Sequence, residues 1–170
     1  MDDRRRRFEA QALPHLDAAY NLARWLSRSP TDAEDIVQEA MLRAFRGFDG
    51  LRGGDAKPWL LTIVRNCWRN RSVAERRHGH MPLPENEGEL PPSEAPDPEA
   101  VAIKIGESRK LNAMLAVLPT EFREVLILRE MEDMSYRDIA AVTSVPMGTV
   151  MSRLARARAM LREKWAMENA

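Results

Sequence analysis

Cysteine is nearly absent from this chain: its 170 residues hold one, Cys67, which excludes an intramolecular disulfide and any thiolate zinc cluster. The apolar neighbours Ile63, Val64 and Trp68 predict that Cys67 is a small buried hydrophobe. Histidine is almost as scarce, and His78 and His80 lie in a polar stretch without acidic or thiol partners at metal spacing, so no metal and no cofactor is expected. A Gly-rich phosphate loop is missing, as are clustered carboxylates of the kind a hydrolase or nuclease needs, and no small-molecule substrate is expected. Nowhere do the ~18 apolar residues of a membrane-spanning helix run together. The Arg4 to Arg7 run is followed by Phe8-Glu9-Ala10-Gln11 rather than an apolar segment, so neither a secretory signal nor membrane insertion is expected, and a cytoplasmic location is. Aromatics make up only 6% of the chain, which makes any core aliphatic and rich in methionine.

A net charge is also missing, since 26 basic residues balance 26 acidic ones. That excludes a uniformly basic coat for nucleic acid, but the two signs are segregated along the chain. Residues 79–99 contain six of the eleven prolines and six acidic side chains without one Lys or Arg. Extended, polyproline-like chain at ~3.1 Å per residue would let this segment reach roughly 65 Å between two folded units. Each flanking unit is near the lower size limit for independent stability, so docking onto a partner suits both.

In the first unit, a helix over Arg4 to Leu26 with a kink at Pro14 carries Phe8, Leu16, Tyr20, Ala23 and Leu26 toward a bundle. Thr31-Asp32-Ala33-Glu34 has the form of a capping box that opens a second helix. Ile36, Val37, Ala40, Met41, Ala44 and Phe45 form its apolar stripe, and Gly47 stops it. Its outward set of Glu34, Asp35, Gln38 and Glu39 is unsuited to DNA and points to a protein partner. A third helix begins near Pro58 and buries Leu60, Ile63, Val64 and Cys67. From Lys57 to Arg77 it concentrates Lys57, Arg65, Arg69, Arg71, Arg76 and Arg77 against Glu75 alone, interleaved with Trp59, Asn66, Trp68 and Asn70. Rings and amides among cations suit unpaired nucleic acid, with rings stacking on bases and arginines holding the backbone, although Trp59 and Trp68 taken singly read as core.

The second unit reads as short helices over Ile105–Leu118, Thr120–Met131, Tyr136–Val142 and Met147–Trp165, with no strand needed. Ser135 caps the third, Pro146 opens the fourth, and Thr143-Ser144-Val145 joins them in a helix-turn-helix. On the last helix Val150, Leu154, Ala157 and Leu161 recur on one buried face, opposite Thr149, Ser152, Arg153 and Arg156. Short polar groups and arginines near a helix N-terminus reach base edges in the major groove, and Arg158, Arg162 and Lys164 fall where phosphates pass.

These residues resemble the extracytoplasmic-function class of bacterial RNA polymerase sigma factors in three places and over nearly the whole chain. Asp32-Ala33-Glu34-Asp35-Ile36-Val37-Gln38-Glu39-Ala40 with Phe45 is similar to the family helix that binds the largest core subunit of the polymerase. Lys57-Pro58-Trp59-Leu60, Ile63, Arg65-Asn66 and Arg71 resemble the neighbouring segment that opens and reads the −10 element. Leu118-Pro119, Phe122 to Leu126, Ser135 to Ala140, Gly148-Thr149-Val150 and Ser152 to Arg158 resemble the domain that reads the −35 element. The resemblance implies an all-α protein of two small domains, over 1–78 and 104–170, joined by an acidic Pro-rich linker over 79–103. It implies core polymerase contacts at Asp32, Glu34, Asp35, Gln38, Glu39 and Arg43. It places −10 contacts at Lys57, Trp59, Thr62, Arg65, Asn66, Arg69, Asn70 and Arg71, and −35 contacts at Thr149, Ser152, Arg153, Arg156 and Arg158. Core RNA polymerase, promoter DNA and an anti-sigma factor are the implied partners, and the linker is expected to pass through the polymerase cleft. The chain departs from the family at Met151, where a basic residue is usual, and in its Gly-rich stretch from Asp49 to Lys57.

Two other readings compete. A stand-alone helix-turn-helix regulator would bind duplex DNA as a symmetric dimer without polymerase, but it leaves the acidic helix, the Trp-containing basic helix and the linker unexplained. A sigma-like decoy for an anti-sigma factor would carry a receiver domain, and this chain shows none.

Overall fold

The computed structural model describes residues 2–51, 53–77 and 109–169, and among these every regular element is helical. The proline-rich segment, His78, His80 and the start of the first helix of the second unit lie outside the described residues.

α1 (Asp2–Ala12) and α2 (Leu16–Ser27) are separated by a 3-10 turn at Leu13–His15. Pro14 has no N–H to continue an α-helical ladder, so the expected kink is a full break. α2 ends where Arg28 turns left-handed (φ 60°) and donates its N–H to the Arg24 carbonyl at 3.0 Å. The cap of α3 (Pro30–Arg46) corrects the sequence reading: Ser29, not Thr31, accepts from the Asp32 N–H, at 3.3 Å. Pro30, with its fixed φ, suits the first helical position, and the helix therefore starts one residue before Thr31. Gly47 closes α3 by donating to the Arg43 carbonyl at 2.9 Å. α4 (Ala56–Arg77) begins just before Pro58, with the Asp55 carboxylate accepting from the Lys57 N–H at 3.0 Å.

These helices bury Leu22, Leu26, Ile36, Leu60, Leu61 and Val64 among themselves. Phe8 anchors α1 edge-on between Phe45 and Phe48, with ring centroids 5.2 and 5.5 Å away. Leu16, expected inside, is 37% exposed. Cys67 is buried, and Trp59 and Trp68 are half-buried against the core.

The second group comprises α5 (109–116), α6 (Thr120–Leu126), α7 (Tyr136–Thr143) and α8 (Met147–Glu168). α6 runs on into a π-helical turn over Ile127–Met131. Ser135 caps α7 as its sequence predicts, accepting from the Asp138 N–H at 3.1 Å. Ser144 (φ 57°) then reverses the chain, and Pro146 opens α8 by accepting from Thr149 and Val150. Leu118, Ile127, Leu128, Ile139, Val142, Val150 and Leu154 form this group's interior.

The two interiors are continuous. α4 packs on α7, and α2 packs on α6 and the π-helical turn. Each small group thus covers apolar surface of the other, in keeping with the limited core either could build alone.

Candidate nucleic-acid and protein interfaces

Three surfaces carry the residues singled out by sequence, and each is positioned by helix periodicity. On α3, Glu34, Asp35, Gln38, Glu39 and Arg43 are exposed while Ile36, Val37, Ala40 and Ala44 turn inward. Asp32 is half-buried because it accepts from Arg71 at 2.9 Å, and Arg71 also reaches Asp35 and Glu75. Arg71, assigned to DNA by sequence, is therefore held among carboxylates of α3 and α4. Arg43 is bonded to Glu39 at 2.6 Å.

Sequence reading missed the apolar part of this surface. Leu42 is 58% exposed on α3, and with Leu13, Leu16, Val37, Met41 and Phe45 it lines an open groove of about 1180 Å³ between α1, α2 and α3. The signal was present, since Leu42 stands four residues after Gln38 on the otherwise polar face. An acidic rim beside exposed leucines fits a protein helix with an apolar stripe and suits no small polar ligand.

α4 divides its cations between two environments. Asn66, Arg69 and Asn70 are exposed, and Thr62 turns back to the Pro58 carbonyl at 2.8 Å. Lys57 and Arg65, by contrast, face the second group. Arg65 makes a two-pronged pair with Glu124, Nε to Oε2 at 2.8 Å and Nη2 to Oε1 at 3.2 Å. Lys57 Nζ donates to the Glu132 carbonyl at 2.8 Å and lies 3.2 Å from its carboxylate. Trp59 sets its ring 6.5 Å from that of Phe48. Glu124 and Glu132 were not picked out by sequence, because their partners are far away along the chain.

On α8 the outward face is centred on Gly148, Met151, Ser152, Ala155, Arg156 and Ala159, all exposed. Thr149 and Arg153 sit half-buried on its flank, nearer the core than the sequence spacing suggested. Arg156 makes no ion pair with a described residue. Arg158 does, to Glu130 at 2.7 Å, and this hydrogen bond holds its pKa above the usual arginine value. Nearby in the interior, Arg123 is buried with hydrogen bonds to the Ala116 carbonyl and Thr120 hydroxyl, its Nε is unpartnered, and burial pushes its pKa down to about 10. Among the described residues no group of His, Cys, Asp or Glu could hold a metal ion, and no described helix is long and apolar enough to cross a membrane.

Both helical groups match families of the sigma-70 class. Residues 13–78 match Sigma-70 region 2, and residues 108–161 match Sigma-70, region 4. The chain is 36% identical over 149 residues to the ECF RNA polymerase sigma factor SigE of Mycolicibacterium smegmatis, covering 88% of this chain and 58% of that protein's length. It is 34% identical over 140 residues to the ECF RNA polymerase sigma-E factor of Escherichia coli, covering 78% of this chain and 73% of that one. In three dimensions it is similar to the sigma factor RpoE solved with the anti-sigma factor NepR from Bartonella quintana. There the TM-score is 0.76 at 28% identity, covering 94% of this chain and 96% of that one. The chain belongs to the ECF family of RNA polymerase sigma factors.

Proposed function

We propose that this protein is a promoter-specificity subunit that binds core RNA polymerase, directs it to its promoters and supports strand opening in a stress or environmental response. It acts by binding alone, in the cytoplasm, without chemistry of its own. The observation that carries this reading is the presence, on one small helical chain, of an exposed acidic and apolar face on α3 and an exposed polar face bearing Ser152 and Arg156 on the second helix of a helix-turn-helix. A stand-alone regulator needs the second and has no use for the first.

In this reading residues 1–78 engage polymerase through Asp32, Glu34, Asp35, Gln38, Glu39 and Arg43, with Leu42 and the neighbouring groove supplying the apolar contact. The α4 segment of Lys57, Trp59, Thr62, Arg65, Asn66, Arg69, Asn70 and Arg71 captures the melted −10 strand. Exposed Arg69 meets a phosphate and exposed Asn66 and Asn70 meet base edges, while Lys57, Arg65 and Arg71 reach phosphates only by exchanging their carboxylate partners for them. Residues 104–170 read duplex DNA at the −35 element through Ser152 and Arg156, flanked by Thr149, Arg153 and Arg158. Residues 79–103 connect the two through the polymerase cleft. An anti-sigma factor, the partner named for the Bartonella relative, holds the protein inactive until a signal releases it.

The α3 assignment is tested by measuring binding of the fluorescently labelled chain to purified core polymerase. Leu42→Glu, at a position exposed enough to leave the fold intact, should weaken binding at least tenfold. Wild-type binding by this variant, with its helical content unchanged, would remove α3 from the interface.

A further inference from the structure

The face of α8 that the proposed function lays in the major groove is unevenly supplied with hydrogen-bonding groups. Helix periodicity divides it into two edges. Thr149, Arg153 and Arg156 follow one another along the first, and Met147, Met151 and Ala155 along the second, with Gly148 and Ser152 between them. Ser152 directs its hydroxyl proton to the Thr149 carbonyl at 3.1 Å, so while that bond stands it meets a base edge as an acceptor only. On the second edge Met147 and Met151 are 44% and 47% exposed, and two thioethers and a methyl offer neither a donor nor a strong acceptor. That edge can meet a base pair only by apolar contact.

We propose that Met147 and Met151 are specificity-determining residues that recognise thymine through its C5 methyl, so that the upstream element read by this chain carries thymine at the positions facing them. This rests on the reading of α8 as the DNA-reading helix. The thymine methyl is the apolar group that a base pair presents to the major groove. A cytosine amino group in its place would lose water and gain only the weak thioether acceptor, so the same side chains select against cytosine. Arg153 and Arg156 on the neighbouring edge supply the attraction to the DNA backbone or a base, and any docking that engages them carries the methionine edge toward the bases beside them. An unbranched thioether with three rotatable bonds fills an irregular gap, which suits a methyl standing out from the groove floor. The readout is particular to this chain, which departs from its family at Met151.

The test uses holoenzyme reconstituted from core RNA polymerase and the full chain. Duplexes that it retains from a library randomised upstream of the start site are sequenced, and one of them is rebuilt with each thymine replaced in turn by deoxyuridine, which lacks only the methyl. Equilibrium binding at fixed salt should weaken about fourfold at a thymine facing Met147 or Met151, as expected for one buried methyl-sized group, and stay within about twofold at the others. Met151→Ala should bind the thymine duplex about as weakly as wild type binds the matching uracil duplex, with no further loss on uracil, and Met147→Ala should do the same at its own position. Met151→Leu keeps an apolar contact and should keep the sensitivity. Met167→Ala, 79% exposed at the far end of α8, should bind every duplex as wild type does.

A shared upstream element at which no uracil weakens binding, while Arg156→Ala still relaxes one position, would overturn the methyl readout and leave α8 standing as the DNA-reading helix. Uracil losses of one size in wild type, Met147→Ala and Met151→Ala would assign the methyl to another group and overturn the proposal. Retained duplexes that share no upstream sequence would remove α8 as a reading helix and the methionine readout with it.

Discussion

Arg156 and Arg158 are two residues apart on α8, and their different surroundings predict unequal worth in the proposed DNA binding. Arg156 is exposed on the outward face and makes no ion pair with a described residue, so its whole donor set is available. Arg158 holds Glu130 through Nη2 at 2.7 Å and Nε at 3.2 Å, and it must loosen that pair before meeting DNA. An exposed pair of this kind is worth ~0.2–1 kcal/mol, which offsets most of what a single phosphate contact returns. Arg156→Ala should therefore cost ~1–3 kcal/mol if the guanidinium reads a base in two-pronged fashion, a loss of roughly 5- to 150-fold. Arg158→Ala should cost less than ~1 kcal/mol. The assay is equilibrium binding of reconstituted holoenzyme to duplexes carrying its own upstream promoter element and to duplexes substituted one base pair at a time. A base-reading Arg156 loses discrimination at one position. A phosphate-binding Arg156 weakens every duplex alike and lowers the salt slope by ~1. Equal losses for the two variants, or none at Arg156, would refute the placement of the outward face.

Other consequences are sharper for stability. Leu154→Ala, in the interior of the second group, should lower unfolding free energy by ~3–5 kcal/mol in urea titrations, enough to threaten folding of so small a unit. Ser29→Ala should cost ~1 kcal/mol and the exposed Thr31→Ala less than ~0.5, whereas the reverse order would restore the capping box read from sequence. Burial raises the Cys67 pKa above the ordinary 9.0. The unfolded thiol then loses its proton as pH passes that value while the folded one keeps it, so this contribution is complete below about pH 9 and fades as pH rises toward the folded value. Urea midpoints should accordingly fall between about pH 8 and about pH 10 more in wild type than in Cys67→Ala, and an identical fall in both would contradict the burial argument.

What could be read from sequence was what neighbours along the chain decide. The Ser135 cap, the inner part of the α3 stripe (Ile36, Val37, Ala40 and Ala44) and the buried row Val150, Leu154 and Ala157 depend on residues within a turn or two of one another and stand as their spacing requires, whereas Met41, Phe45 and Leu161 at the margins of those rows are only half-buried. The α3 cap was misplaced because Thr31 and Glu34 have the right types at the right spacing, while Pro30 fixes an earlier start. Thr149 and Arg153 lay closer to the core than expected because α7 and α6 wrap α8 over an arc wider than its apolar stripe. The pairs Arg65–Glu124 and Lys57–Glu132 were out of reach of any periodicity. Glu124 follows Arg123 in α6 and reads as one more charge of a mixed helix, and only the approach of α4 explains a carboxylate buried there.

The central claim is that this chain gives core polymerase a promoter. Purified core RNA polymerase is incubated with a fragment library of the source genome, with and without the protein, and transcript starts are sequenced. Discrete starts that appear only on addition, sharing two upstream elements at fixed spacing, are the expected result. The absence of new starts, from a chain that nevertheless binds specific duplexes by itself, would contradict the account and leave an ordinary helix-turn-helix regulator in its place.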